Sequence, residues 1–196
     1  MPSARRSFTR AELESFRDAE VPDLLPGRGQ ELRLLFVGIN PGLWTAATQT
    51  HFAHPGNRFY PALLRAGILT RAVDPAAGMT DEDREHLRER GIGITNLVRR
   101  ATARADELTA EELREGGERL LATIASTRPA VVAVAGITAY RQAFGVRKAQ
   151  TGEQPEPVEG ARLWVVPNPS GLNAHETVDS LAVAYAEPAR AAGLLD

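Results

Sequence analysis

Two short loops in this sequence hold residues whose types and spacing could do chemistry. The first is Gly38-Ile39-Asn40-Pro41-Gly42-Leu43. Pro41 fixes its own φ and pushes Asn40 out of the helical region. Gly42 lets a ligand or another backbone approach closely. The turn therefore presents one carboxamide. A carboxamide is no strong base, but it can orient a water and donate or accept hydrogen bonds. The second loop, Asn168-Pro169-Ser170-Gly171-Leu172-Asn173, offers another carboxamide, a small backbone and an apolar tip at Leu172. Such a tip can act as a wedge between stacked rings. Between the two lies Phe52-Ala53-His54-Pro55-Gly56-Asn57-Arg58-Phe59-Tyr60, aromatic and basic, in which Phe52 could stack on a planar base. Each feature also has a plainer reading. Asn40 could satisfy local backbone, Phe52 could be core, and Leu172 could tuck under the last helix. For Phe59 and Tyr60 core packing is the reading we adopt.

These loops need a scaffold that brings them together. Leu32 to Val37 is a nearly continuous apolar run ended by Gly38, the pattern of a buried strand. Ile92 to Val98, Pro129 to Ala135 and Arg162 to Val166 read as three more strands. Helices are expected from the Thr9-x-x-Glu12 capping box to about Ala19, over Arg58 to Ala66, and from Thr80 to Gly91. Others run from the Thr109-x-x-Glu112 box to about Thr127, over Thr138 to Phe144, and from about Glu176 to Ala192. Thr151 to Gly160, with two prolines and two glycines, reads as a surface loop. Strands alternating with helices predict a three-layer α/β/α sandwich around a central, mostly parallel four-stranded sheet, in one domain over residues 1–196. Ligands bind such sheets at the carboxyl ends of their strands. Topology alone then puts Gly38–Gly42 and Pro167–Leu172 on the same side.

Composition narrows the classes. The chain has 196 residues, 43% hydrophobic and 24% charged, an ordinary globular balance with length for one substantial core. No apolar run approaches the ~20 residues of a membrane span, and none follows Met1-Pro2-Ser3-Ala4-Arg5-Arg6, so no secretory leader is expected. The expected compartment is the cytoplasm, at the nucleoid. There is no cysteine, which excludes disulfides, cysteine zinc sites and iron–sulfur clusters. His51, His54, His86 and His175 have no metal-ligand spacing. His86 reads as a solvated helix residue and His54 as structural in its loop. The net charge of −2 argues against strong non-specific nucleic-acid binding but leaves a local basic face open. Among the 23 basic residues only Lys148 is a lysine.

Taken in order, Gly38-Ile39-Asn40-Pro41-Gly42-Leu43, Phe52 to Phe59, Gly91-Ile92-Gly93-Ile94-Thr95-Asn96-Leu97-Val98 and Asn168 to Leu172 resemble the mismatch-specific uracil-DNA glycosylase and thymine-DNA glycosylase family. The likeness runs from about Leu32 to the last helix and leaves out the first thirty residues. It implies hydrolysis of the bond between a mispaired uracil and its sugar after base flipping, as a step of base-excision repair. The partner is double-stranded DNA with a mismatched or damaged pyrimidine, the enzyme a monomer without cofactor. Asn40 would position the attacking water. Ile39, Phe52, Asn96 and Asn168 would hold the base, with Phe52 stacking and Asn96 reading its edge. Ser170, Gly171 and Leu172 would enter the duplex and meet the widowed guanine. Gly42 stands where uracil-only relatives carry a bulky ring, which implies a pocket tolerant of thymine. Trp44-Thr45 departs from the small residues expected there.

Neither loop contains a carboxylate. Asp81 and Asp83, in the first turn after Thr80, could supply one, with Asp83 the candidate second acid; the plainer reading, which we favour, is acidic residues complementing the helix dipole. Schiff-base lyase chemistry needs an amine, and Lys148 sits in a surface-like segment, so a monofunctional enzyme is expected. Two other classes compete: a nucleotide-binding hydrolase, which the absent Gly-Lys-Ser/Thr ending disfavours, and a non-catalytic lesion binder, which would not need Asn40.

Overall fold

The computed structural model describes residues 7–196; the chain start, where no leader was expected, lies outside them. Strand β1 is Leu34–Gly38, and all five residues are buried. The reason is its place at the centre of the molecule, with a neighbour on each edge and helices on both faces. Leu34 and Phe36 belong to one hydrophobic cluster, Leu35 and Val37 to the other. That alternation is the two-residue period of a strand covered on both sides. The remaining strands are β2 (Ile92–Asn96), β3 (Val131–Ala135), β4 (Gly152–Glu153) and β5 (Arg162–Val166), in the order β2-β1-β3-β5-β4. β1, β2, β3 and β5 are parallel. The architecture is the expected α/β fold with one correction: the sheet has five strands, not four. β4 pairs antiparallel with β5 through Gly152↔Val165 and Glu153↔Trp164. A two-residue strand among prolines and glycines carries no periodicity of its own; its partner creates it.

The helices are α1 (Arg10–Glu14), α2 (Leu43–Thr48), α3 (Phe59–Arg65), α4 (Asp81–Glu89), α5 (Ala110–Thr127), α6 (Ile137–Phe144) and α7 (Val178–Ala191). Capping boxes form at Thr9, Thr80 and Thr109. Two helices differ from expectation. α1 ends five residues before Ala19, because the chain turns at Asp18 (φ 62°) to pair with Ala101: Asp18 N donates to Ala101 O and Ala101 N to Ala19 O, both at 2.9 Å. α2 was not expected. Its six residues include Trp and two Thr and have no side-chain cap; Leu43 and Ala46 are held by packing with Val21 and Ala101.

The segment from Asp18 to Leu24 therefore covers the open edge of β2. Leu24 and Ile94 exchange backbone hydrogen bonds of 2.9 and 2.7 Å, so the edge is not left to pair with another chain.

Helix α5 packs through a glycine notch against the loop after β2 and against α6. A Cβ on Gly116 would fall 2.4 Å from the carbonyl oxygen of Leu97, and one on Gly117 2.7 Å from that of Ala143. Backbone cannot yield as a side-chain tip can. Gly116→Ala is expected to destabilise the fold by roughly 1–3 kcal/mol through overpacking, read as a lower urea midpoint at unchanged m-value.

Candidate active site

Because β1, β2, β3 and β5 run parallel, their carboxyl ends share one side of the sheet. Gly38, Asn96, Gly136 and the segment after Val166 meet there.

Asn40, two residues past β1, is half-buried. Its Nδ2 donates to three oxygens: Thr102 Oγ1 at 2.7 Å, Arg100 O at 3.1 Å and Pro41 O at 3.2 Å. Thr102 in turn donates its hydroxyl proton to Arg104 O at 2.7 Å, so its oxygen faces Asn40 as an acceptor. A flipped amide would set oxygen against three oxygens. The orientation is therefore fixed, and Oδ1, with no protein donor among the described residues, is free to accept. The Arg100 loop is held by ion pairs from its guanidinium to Glu112 and Asp18.

Asn168, two residues past β5, is fixed the other way. Its Oδ1 accepts from Ser170 N at 2.9 Å, an Asx turn. Its Nδ2 lies over Gly136, 3.9 Å from where a Cβ would stand; the Cδ1 of Ile39 is 3.3 Å from the same point. Asn168 thus offers a donor.

Asn96 ends β2, and its Nδ2 is 3.1 Å from His51 Nδ1. Its Oδ1 lies over Gly38, so close that a Cβ there would be 2.4 Å away; the tip of the Phe52 ring is 3.2 Å from the same point. Phe52, in the left-handed region at φ 55°, stacks on Phe59 with centroids 4.1 Å apart and planes at 25°. Phe59 covers one face of the Phe52 ring. Phe59 and Tyr60 are core, as expected, and Tyr60 Oη donates to His51 O at 2.9 Å. A Cβ on Gly42 would meet nothing within 4 Å, so open space adjoins it. Trp44 is engaged elsewhere: Nε1 donates to Ala76 O at 2.9 Å, and the ring contacts Phe8 and His54.

The second loop is rigidly held. Arg58 donates its backbone N–H to Pro169 O at 3.0 Å and its guanidinium to Asn173 O at 3.0 Å, with longer contacts to Ser170 O and Gly171 O. Gly171 packs on Gly56, whose oxygen would be 2.5 Å from an added Cβ. Ser170 Oγ accepts from Leu172 N at 3.2 Å. The tip, Leu172, is 90% exposed, which removes the reading that tucks it under the last helix.

Asp83 does not join this group in any hydrogen bond. One oxygen accepts from Thr80 N, the other pairs with Arg71 at 2.6 Å. Burial alone would raise its pKa, but these hydrogen bonds outweigh it and hold the carboxyl below its ordinary value. Its contacts are those of a helix cap. His86 is not the solvated residue expected: its Nε2 is buried without a partner among the described residues, and burial, with Arg71 and Arg90 nearby, lowers its pKa. Among the described residues no group of three or more His, Asp or Glu could hold a metal ion.

Sequence reasoning missed His51, Arg58, Arg100 and Thr102. Arg58 and His51 stand in or beside a recognised motif, but their partners are remote. Thr102 lies 62 residues beyond Asn40, and no spacing rule connects them.

A family profile described as the Uracil DNA glycosylase superfamily matches residues 26–187. The chain belongs to this superfamily. It is accordingly a DNA glycosylase, a hydrolase that acts on DNA in base-excision repair.

Two outcomes follow for this glycosylase. Thr102→Val removes the shortest contact to the Asn40 amide and is expected to lower single-turnover cleavage by about 10-fold with little change in DNA affinity, since one hydrogen bond is worth about 1 kcal/mol or slightly more. The second concerns Glu112, whose carboxyl the Arg100 hydrogen bond lowers to about 2. Its folded pKa lies below the unfolded value, so its stabilisation is present above about pH 4.5 and lost as pH falls toward 2. Melting temperatures should separate wild type from Glu112→Gln above pH 5 and converge near pH 2.

Proposed function

We propose that this glycosylase excises uracil from G:U mispairs by monofunctional hydrolysis, acting as a monomer on a base flipped out of duplex DNA. The observation that carries this reading is the fixed orientation of three carboxamides: acceptor at Asn40, acceptor at Asn96, donor at Asn168. A flipped uracil offers a ring N3–H and carbonyl oxygens. Asn96 Oδ1 accepts from N3–H, Asn168 Nδ2 donates to the base oxygen that gains charge, and Phe52 stacks on the ring through the face turned away from Phe59. Ile39 closes the wall near Asn168.

A water hydrogen-bonded to Asn40 Oδ1 attacks the anomeric carbon. The carbon–N1 bond breaks, its electron pair leaves with the base, and the water's proton passes to the departing base or to solvent. The product is an abasic site. Uracil is a tolerable leaving group once its anion is met by a preorganised donor, and such a donor can be worth ~3 kcal/mol. Cytosine leaves far less readily and is spared. Lys148, the single lysine, is exposed after α6, away from the motif loops in sequence, which favours hydrolysis over Schiff-base lyase chemistry. The open space beside Gly42 admits a 5-methyl group, which makes thymine opposite guanine a slower second substrate. Leu172 fills the gap the flipped nucleotide leaves, with Ser170 and Gly171 shaping the loop against the opposite guanine.

The deciding experiment is a duplex with one G:U pair, incubated with the protein and then treated with alkali. Strand cleavage at uracil is expected; an intact strand overturns the reading. Asn40→Ala should lose about 10²–10³-fold in single-turnover rate while binding the duplex within a few-fold of wild type. Leu172→Ala should slow excision from an A:U pair more than from G:U, because the stable pair needs the wedge more.

A further inference from the structure

The amide of Asn96 could face either way, and the choice is made outside the recognised motifs. His51 is 5% exposed, and its Nε2 lies 2.8 Å from the carbonyl oxygen of Pro22. A carbonyl only accepts, so Nε2 carries the proton in the neutral ring and Nδ1 is bare. The bare Nδ1 then accepts from Asn96 Nδ2 at 3.1 Å. That leaves Asn96 Oδ1 over Gly38, beside the Phe52 ring. Pro22 lies ahead of residues 26–187, the stretch that the family profile covers. The segment carrying Pro22 is anchored two residues on, by the exchange of backbone hydrogen bonds between Leu24 and Ile94, and by Thr95 Oγ1 donating to Asp23 at 2.8 Å.

We propose that His51 is a positioning residue. Its Nε2–H is given to the Pro22 carbonyl and its Nδ1 holds Asn96 with the carboxamide oxygen turned to the base pocket, so that the pocket takes a ring N–H and refuses a ring nitrogen lone pair. The inference rests on the glycosylase reading, with Asn96 at the base edge. It explains selection of an imide base, uracil or thymine, over cytosine, whose N3 is an acceptor. Protonating Nδ1 would set donor against donor and turn the amide over.

The surroundings keep the ring neutral. Burial lowers the pKa of His51; the Pro22 carbonyl and Asp23 work the other way, and Arg84 adds to the lowering. On the α4 side Arg84 and Arg88 also line the cavity of about 180 Å³ that borders His51. Both guanidiniums are engaged by carbonyls, Arg84 by Met79 and Gln49 and Arg88 by Leu25.

The first test needs no activity. Long-range ¹H–¹⁵N spectra of the ¹⁵N-labelled full chain at pH 7 should show His51 as the Nε2–H tautomer; an Nδ1–H tautomer or a charged ring overturns the proposal. The second is a double-mutant cycle on the G:U duplex. His51→Leu should slow single-turnover excision about 10-fold in the wild-type background and less than about 2-fold in Asn96→Ala, since a residue acting through Asn96 has nothing left to act on. Equal losses in both backgrounds overturn it. His51→Gln, whose amide can donate to Pro22 and accept from Asn96, should keep activity within about 3-fold and lose the acid-side fall of the wild-type pH profile. A His51→Gln as slow as His51→Leu, or with the wild-type acid limb, also overturns it, and this variant and the spectra decide if His51→Leu does not fold. A wild-type protein that leaves G:U intact defeats the proposed function instead, and the tautomer measurement still stands.

Discussion

Three oxygens surround one amide nitrogen at the mouth of the sheet: Pro41 O, Arg100 O and Thr102 Oγ1 about Asn40 Nδ2. The two ends of a carboxamide are nearly equal in size and opposite in hydrogen bonding, so shape cannot select one. Only the partners can. Two of the three oxygens stand on the loop after β2, and that loop needs support of its own. It receives it from the ladder between Asp18, Ala19 and Ala101 and from the pairing of Arg100 with Asp18 and Glu112. The N-terminal segment, which lies ahead of the family match, is thereby built into the geometry that holds Asn40.

The same physical problem is solved three times, at three ranges. Asn168 is fixed by Ser170 N, two residues along its own turn. Asn40 is fixed by a loop across the β1–β2 pairing. Asn96 is fixed through the His51 ring, which takes its state from Pro22. In each case the dipole is set before substrate arrives, so little reorganisation is left for the moment of reaction. This matters more here because the carboxylate best placed by sequence, Asp83, spends its oxygens on Thr80 and Arg71. What the structure offers at the sheet mouth is a set of fixed dipoles.

The loop that carries Leu172 is preset in the same way. An isolated exposed leucine is unremarkable on a protein surface. Leu172 differs in its mounting: Arg58 grips the backbone of the loop from both arms of its guanidinium, and Gly171 leaves no gap to Gly56. The loop holds its tip out in solvent without needing DNA to order it.

What the sequence by itself determined is what local pattern can encode. The apolar run ending at Gly38 specified a buried strand, the cap at Thr80 and the box at Thr109 specified helix starts, and strand–helix alternation put the two loops on one side of a parallel sheet. Asp83 was already legible as an acidic residue complementing the helix dipole after Thr80; its capping bond to Thr80 and its ion pair with Arg71 were not. Short elements escaped, because β4 and α2 exist through the partners they pack against rather than through a period of their own. The end of α1 escaped for the same reason, its turn at Asp18 being set by Ala101. Residue type named the three asparagines as groups that can donate or accept. Which end of each faces the pocket was decided only by the tertiary structure, since for Asn40 and Asn96 the atoms that choose lie on Thr102, Arg100, His51 and Pro22, which the chain brings together only when the sheet has formed.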